Sequence, residues 1–148
     1  MNNLTTTTQN LPVTIDDLAK FALIGREKLV AVRAEIRAID KVGLAQEVRE
    51  QKLREAQAIS EAVLDAEVRI GQLMQQVPKA QGKRTDIKPL PTDGQKSKTD
   101  VFADMGFTHS QVQRFETLAA HPEIVEQAKA EARFRRNLLN RRPFYPNG

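Results

Sequence analysis

The sequence predicts an all-α protein, a long helical hairpin or coiled coil followed by a smaller unit of short helices. Three observations predict it. Residues 14–40 and 44–77 each carry one apolar stripe at alternating spacings of three and four. No run of alternating β-branched residues appears that would make a strand. Aromatics are only 5%, Trp is absent, and Ala, Glu, Gln, Arg and Leu dominate, a composition of helices rather than of a sheet with a thick core.

Residues 1–13 include four threonines in a row, Thr5 to Thr8, and little to bury, so they read as a disordered tail. Pro12 stops any helix upstream. Thr14 is placed to cap the next one, with Asp16 and Asp17 in the first turn at the positive end of the helix dipole. The stripe then runs Ile15, Leu18, Ala22, Gly25, Leu29, Val32, Ile36 and Ile39, and Gly43 offers a left-handed end. Phe21, Leu23, Ile24 and Val30 widen the apolar surface beyond what a two-stranded seam needs.

The second long segment has its clean stripe at Ala56, Ile59, Val63, Ala66, Ile70, Leu73 and Val77. Its earlier half is charged nearly all round. At 1.5 Å per residue the two helices are roughly 40 and 50 Å long, and neither is stable alone. They pair as an antiparallel hairpin or with a second copy, and the apolar surplus near Phe21 to Val30 favours a homodimer through these helices. Glu47, Glu50, Glu55, Glu61, Asp65 and Glu67 stand without a histidine at ligand spacing and are expected to form a solvated face.

Pro78 ends the helix. Residues 78–98 hold three prolines, two glycines and six basic side chains, a flexible basic linker in which Lys83 and Arg84 are placed either to attract phosphate or simply to be solvated. Gly82 and Lys83 lack the upstream glycine and the following hydroxyl of a phosphate-binding loop.

Residues 99–133 then read as a helix-turn-helix-like unit. Thr99 is a candidate cap, Val101, Phe102 and Met105 are the apolar face of a short helix, and Gly106 sits where that helix must end in positive φ. Phe107 is a buried anchor. Thr108 and Gln111 have capping-box spacing, and Val112, Phe115, Leu118 and Ala119 make the inner face of a second helix. Ser110, Gln113 and Thr117 fall on the outer face, flanked by His109 and Arg114. Val101, Met105, Gly106, Phe107, Val112 and Phe115 resemble the helix-turn-helix in spacing, although Phe102 stands where that motif has a small residue. The resemblance implies DNA contact by Ser110, Gln113, Arg114 and Thr117 in a major groove. The plainer alternative is a helical hairpin with a solvated outer face.

His121 and Pro122 open a third helix with Ile124, Val125, Ala128 and Ala132 as its stripe. Residues 134–148 read as a basic tail in which Arg135 and Arg136, with Arg133, Arg141 and Arg142 nearby, are placed to meet phosphates. His109 and His121 have no nucleophile, base or ligand partner at a useful spacing, so neither a catalytic role nor a metal is expected. There is no cysteine, so disulfides and thiol chemistry are out. No apolar run approaches a membrane span, and the chain reads as a cytoplasmic protein without a cofactor.

The net charge is +4 and unevenly placed: residues 1–77 carry 10 basic and 11 acidic side chains, residues 78–97 carry 5 and 2, and residues 98–148 carry 8 and 6. The basic excess therefore begins at the linker, beside the helix-turn-helix-like unit.

The order of parts resembles small phage and mobile-element proteins of Gram-positive bacteria. The residues that carry it are A-E-V-R-I-G-Q-L-M-Q-Q-V-P-K-A over 66–80, the Lys-rich gap, and D-M-G-F-T-H-S-Q-V-Q-R-F-E-T-L-A-A-H-P-E-I-V-E-Q-A-K-A-E-A-R over 104–133. The basic end from Phe134 departs from that pattern. The resemblance implies a non-enzymatic, nucleic-acid-associated accessory protein with no catalytic residues to carry over. Two functions remain open: a DNA-binding protein dimerised by its N-terminal helices, or a small inhibitor or adaptor acting on a host protein such as a nucleic-acid-binding defence enzyme.

Overall fold

Thr14 sets the start of the first helix: its hydroxyl accepts a hydrogen bond from the Asp17 backbone N–H at 3.2 Å, as its place before two carboxylates predicts. The computed structural model describes residues 11–77 and 98–140, all of whose regular structure is helical. Helix α1 spans Ile15–Val42 and ends on Gly43, whose φ of 69° lets its N–H bond the Ile39 carbonyl at 2.9 Å. Helix α2 spans Gln46–Gln75, two residues later than the stripe predicts at its start. Leu44 and Ala45 are used up in the reversal, and Ala45 has no side chain to cap with.

The hairpin is antiparallel. Asp40 accepts from Arg49 at 2.6 Å and Glu35 pairs with Lys52 at 2.6 Å, while Gly25 lies against Val63. The expected stripes are the inner faces. Leu18, Ala22, Val32 and Ile39 of α1 are buried, as are Val63, Ala66 and Ile70 of α2. Of the surplus, Phe21 packs against the core, whereas Leu23, Ile24 and Val30 are each about half exposed.

Helix α3 spans Lys98–Asp104, so Thr99 lies within it and Lys98 belongs to the helix rather than the linker. It ends in a Schellman turn. Gly106, at φ 77°, bonds the Ala103 carbonyl, and the Phe107 N–H bonds the Phe102 carbonyl, both at 3.0 Å. Helix α4 (His109–Ala120) follows, then α5 (Pro122–Asn140).

These short helices are not set apart from the hairpin, as the sequence suggests. One core joins Leu18, Ala19 and Ala22 of α1 and Ala66, Ile70 and Met74 of α2 to Phe102, Phe107, Val112 and Phe115. Phe107 meets the Phe115 ring edge-on at 5.1 Å between centroids. Phe102, too large for the small-residue place of a helix-turn-helix, is 4% exposed and fills this core instead. Leu11, placed in the disordered tail by the sequence, also packs against it.

The seat of α4 is Gly71. A Cβ at that position would stand closer than 3.0 Å to the Phe115 carbonyl oxygen and at 3.0 Å from Ala119 Cβ. The obstacle is helix backbone, which cannot rotate away. Gly71→Ala is therefore expected to displace α4 and destabilise the fold by about 1–3 kcal/mol, read as a lower urea midpoint; an unchanged midpoint would show that α4 is not seated there.

Candidate nucleic-acid interface

Helix α4 presents the outer face predicted for it. The capping box forms in both directions: Thr108 Oγ1 accepts from the Gln111 N–H at 3.3 Å, and the Thr108 N–H donates to Gln111 Oε1 at 2.9 Å. With Val112 and Phe115 inward, Ser110, Gln113 and Thr117 form an exposed strip. Within it the Gln113 side-chain nitrogen lies 3.2 Å from His109 Nε2, and the Thr117 hydroxyl donates to the Gln113 carbonyl at 2.8 Å.

Arg114 departs from the expected outward pose. Its guanidinium turns along α4 to Glu67 of α2 at 3.4 Å, although the side chain remains 64% exposed. Glu67 is buried and also accepts from Arg26 of α1. One carboxylate thus ties three helices together, and the Arg26 guanidinium lies 5.9 Å from the centre of the Phe115 ring. Lys98 is likewise committed, to Glu116, with its ammonium 5.8 Å from the Phe102 ring centre. The cations nearest the strip therefore already hold α4 in place.

The carboxylates of α2 require a correction. Glu47 and Glu55 are solvated as expected and Glu50, paired with Arg54, is part-buried, but Glu61, Asp65 and Glu67 are not solvated. Glu61 accepts from Arg133 Nε at 2.7 Å, takes a second bond from the same guanidinium, and accepts from Gln57 at 2.7 Å. Asp65 pairs with Lys129, which also reaches Glu126 at 2.9 Å. Lys129 is buried, although the sequence gives α5 an apolar stripe. Of that stripe only Val125 is buried; Ile124 is 55% exposed, and Ala128 and Ala132 are exposed. Helix α5 is thus held on α2 mainly through charge, because α2 has spent its apolar side on α1 and α4. The signal was in the sequence: Glu61 and Asp65 are four apart, as are Lys129 and Arg133, which gives two helices a matching ladder.

The bond to Arg133 holds the Glu61 carboxyl below its usual 4.5, against the opposing effect of burial. At Lys129, burial works against the charge, but Asp65 and Glu126 outweigh it and raise the pKa above the usual lysine value.

The other predicted site residues divide. Lys83 and Arg84 lie outside the described residues. Arg135 and Arg136 are not in a tail, because α5 continues through Asn140. Arg135 pairs with Glu131 on the exposed side, whereas Arg136 is half-buried and its Nε is a buried donor without a partner. Compared with known proteins, the chain matches no family model, no curated protein and no solved structure. Among the described residues no group of three His, Cys, Asp or Glu is placed to hold a metal ion, and no helix is long and apolar enough to cross a membrane. What the arrangement offers is a rigid polar strip on α4 and a row of arginines on α5.

Because the Glu61 pKa is lower in the folded state, the stability from its bonds is full above about 4.5 and is lost as pH falls through the lower folded value. Unfolding midpoints measured from about pH 6 to pH 3 should fall less steeply for Glu61→Gln than for the unmutated protein. Parallel profiles would show that this ion pair does not contribute.

Proposed function

We propose that the protein is a non-enzymatic DNA-binding accessory protein of the phage or mobile-element type, reading duplex DNA with helix α4 and dimerised through its N-terminal helices. The observation that supports DNA contact is the exposed strip of Ser110, Gln113 and Thr117 on a helix fixed along its remaining sides. Gly71 seats its backbone, Glu67 holds Arg114, and Lys98 holds Glu116. A recognition helix needs this kind of support, since a base-edge hydrogen bond discriminates only if its donor is held in register. Gln113 pairs with adenine, and Ser110 and Thr117 bond to either partner of a base pair. Arg135, Arg136 and the basic segment with Lys83 and Arg84 supply attraction to phosphate.

Duplexes enriched by the protein from a random-sequence library are the test. Gln113→Ala should weaken binding to the enriched site by about 1–3 kcal/mol and leave random duplex nearly unaffected. Arg135→Ala with Arg136→Ala should weaken both alike and flatten the salt dependence. Arg114→Ala is a poorer probe, because it also removes one of the two guanidiniums on Glu67. Failure to enrich any site would withdraw the DNA reading in favour of an inhibitor or adaptor of a host protein.

The dimer rests on the half-exposed Ile24, beside a cavity of about 180 Å³ lined by Phe21, Gly25, Lys28, Ile59 and Val63. Val32 is buried inside the hairpin, so charge placed there tests folding rather than association. Ile24→Glu is expected to keep full helicity and convert a dimer to a monomer in light scattering; an unmutated monomer would remove the dimer.

A further inference from the structure

Helices α1 and α5 both pack on α2, and between them lies a groove of about 570 Å³ that no part of the described chain fills. We infer that this groove receives an acidic amphipathic helix of a partner protein, which completes a four-helix bundle with α1, α2 and α5. The inference uses none of the α4 strip, but it draws on Arg135 and Arg136, the two α5 arginines to which the DNA reading gives phosphate contact, so its test separates a peptide from a duplex.

The shape of the groove follows from how α5 is held. Lys129 and Arg133 fasten it to Asp65 and Glu61, and the apolar side chains it offers on the groove side are the short ones of Ala128 and Ala132. They are four residues apart, as are Ala56 and Ser60 on the facing part of α2, so both walls have small residues one helical turn apart. Rows of this kind let another helix backbone approach closely. Leu29 and Leu53 complete an apolar floor, and the stretch from Leu53 to Ser60 covers about two turns, roughly 10 Å. That is the footprint of an apolar stripe with two or three anchors.

Charge selects the partner. Arg33 stands on the α1 wall and Arg136 on the α5 wall, beside Arg135, whose charge is met by Glu131, the sole carboxylate in the lining. Among the described residues Arg33 has no ion-pair partner, and the Arg136 Nε is buried without an acceptor. Cations on two walls over an apolar floor match a helix whose apolar stripe is bordered by carboxylates on both sides, the arrangement that flanking charges give a helical bundle. A nucleic-acid strand fits less well, because the floor would strip water from its phosphates and offers no aromatic ring on which a base stacks.

The test uses the full chain and a display library of helical peptides about 15 residues long, with the stripe and its flanking positions randomised. The expected result is enrichment of peptides with an apolar stripe bordered by Asp and Glu. Arg33→Glu with Arg136→Glu should weaken a synthetic copy of the enriched peptide by at least about tenfold, and a version with Lys for Glu should regain binding to that double variant. Ala132→Trp, at an exposed position, should block the groove while circular dichroism stays unchanged. The inference is overturned if no acidic amphipathic sequence is enriched, or if the enriched peptide binds the Ala132→Trp variant equally. It is also overturned if random duplex DNA alone is lost with the two arginines, or if self-association of the unmutated chain is lost with Ala132→Trp, which would assign the groove to a second copy.

Discussion

The contact on which the rest of the structure depends is the one at Gly71, where the backbones of α2 and α4 come together without a side chain between them. Phe115 can then drop to full burial beside Ile70 and Met74, and Phe107 can stack edge-on against it. The same approach brings Arg114 within reach of Glu67. A single missing Cβ thus decides whether the C-terminal helices join the core of the hairpin or hang from it. Gly25 plays the matching part between α1 and α2, where Val63 occupies the space a Cβ would need.

Helix α2 is the shared wall. It packs against α1, α4 and α5, and its polar residues are as structural as its apolar ones. Glu67 is nearly inaccessible yet takes two guanidiniums, one from α1 and one from α4. Burying a carboxylate costs several kcal/mol unless its lone pairs are met, so an arrangement that moved either helix would leave that charge stranded. Such pairs add little net stability compared with an apolar core, but they reject wrong registers. Glu61 with Arg133 and Asp65 with Lys129 set the register of α5 in the same way.

The consequence for function is a division of surfaces. Cations near α4 are spent on holding that helix, which leaves its outer strip neutral and hydrogen-bonding, suited to discrimination more than to attraction. Two guanidiniums without an ion-pair partner among the described residues, Arg33 and Arg136, stand instead along the groove between α1 and α5, over an apolar floor. On the two proposals above, these separate surfaces would let one chain hold a nucleic acid and a partner helix together or at different times.

Much of this was legible in the sequence because it is local. The stripes of α1 and α2, the cap at Thr14, the end at Gly43, the turn at Gly106 and the box of Thr108 with Gln111 each depend on side chains within a few residues of one another. Period and capping chemistry therefore determine the helices, the all-α class and the outer strip of α4. What only the tertiary structure decided is which polar residues are buried. By helical period alone Glu61, Asp65 and Glu67 look the same as the solvated Glu47 and Glu55, and the four-residue spacing that Glu61 and Asp65 share with Lys129 and Arg133 hints at a ladder without saying that it is buried. Their roles arise from partners 41 to 72 residues away, brought close by the packing of α4 and α5 on α2. A helical period specifies a face, but it carries no information about the distant element that comes to cover it.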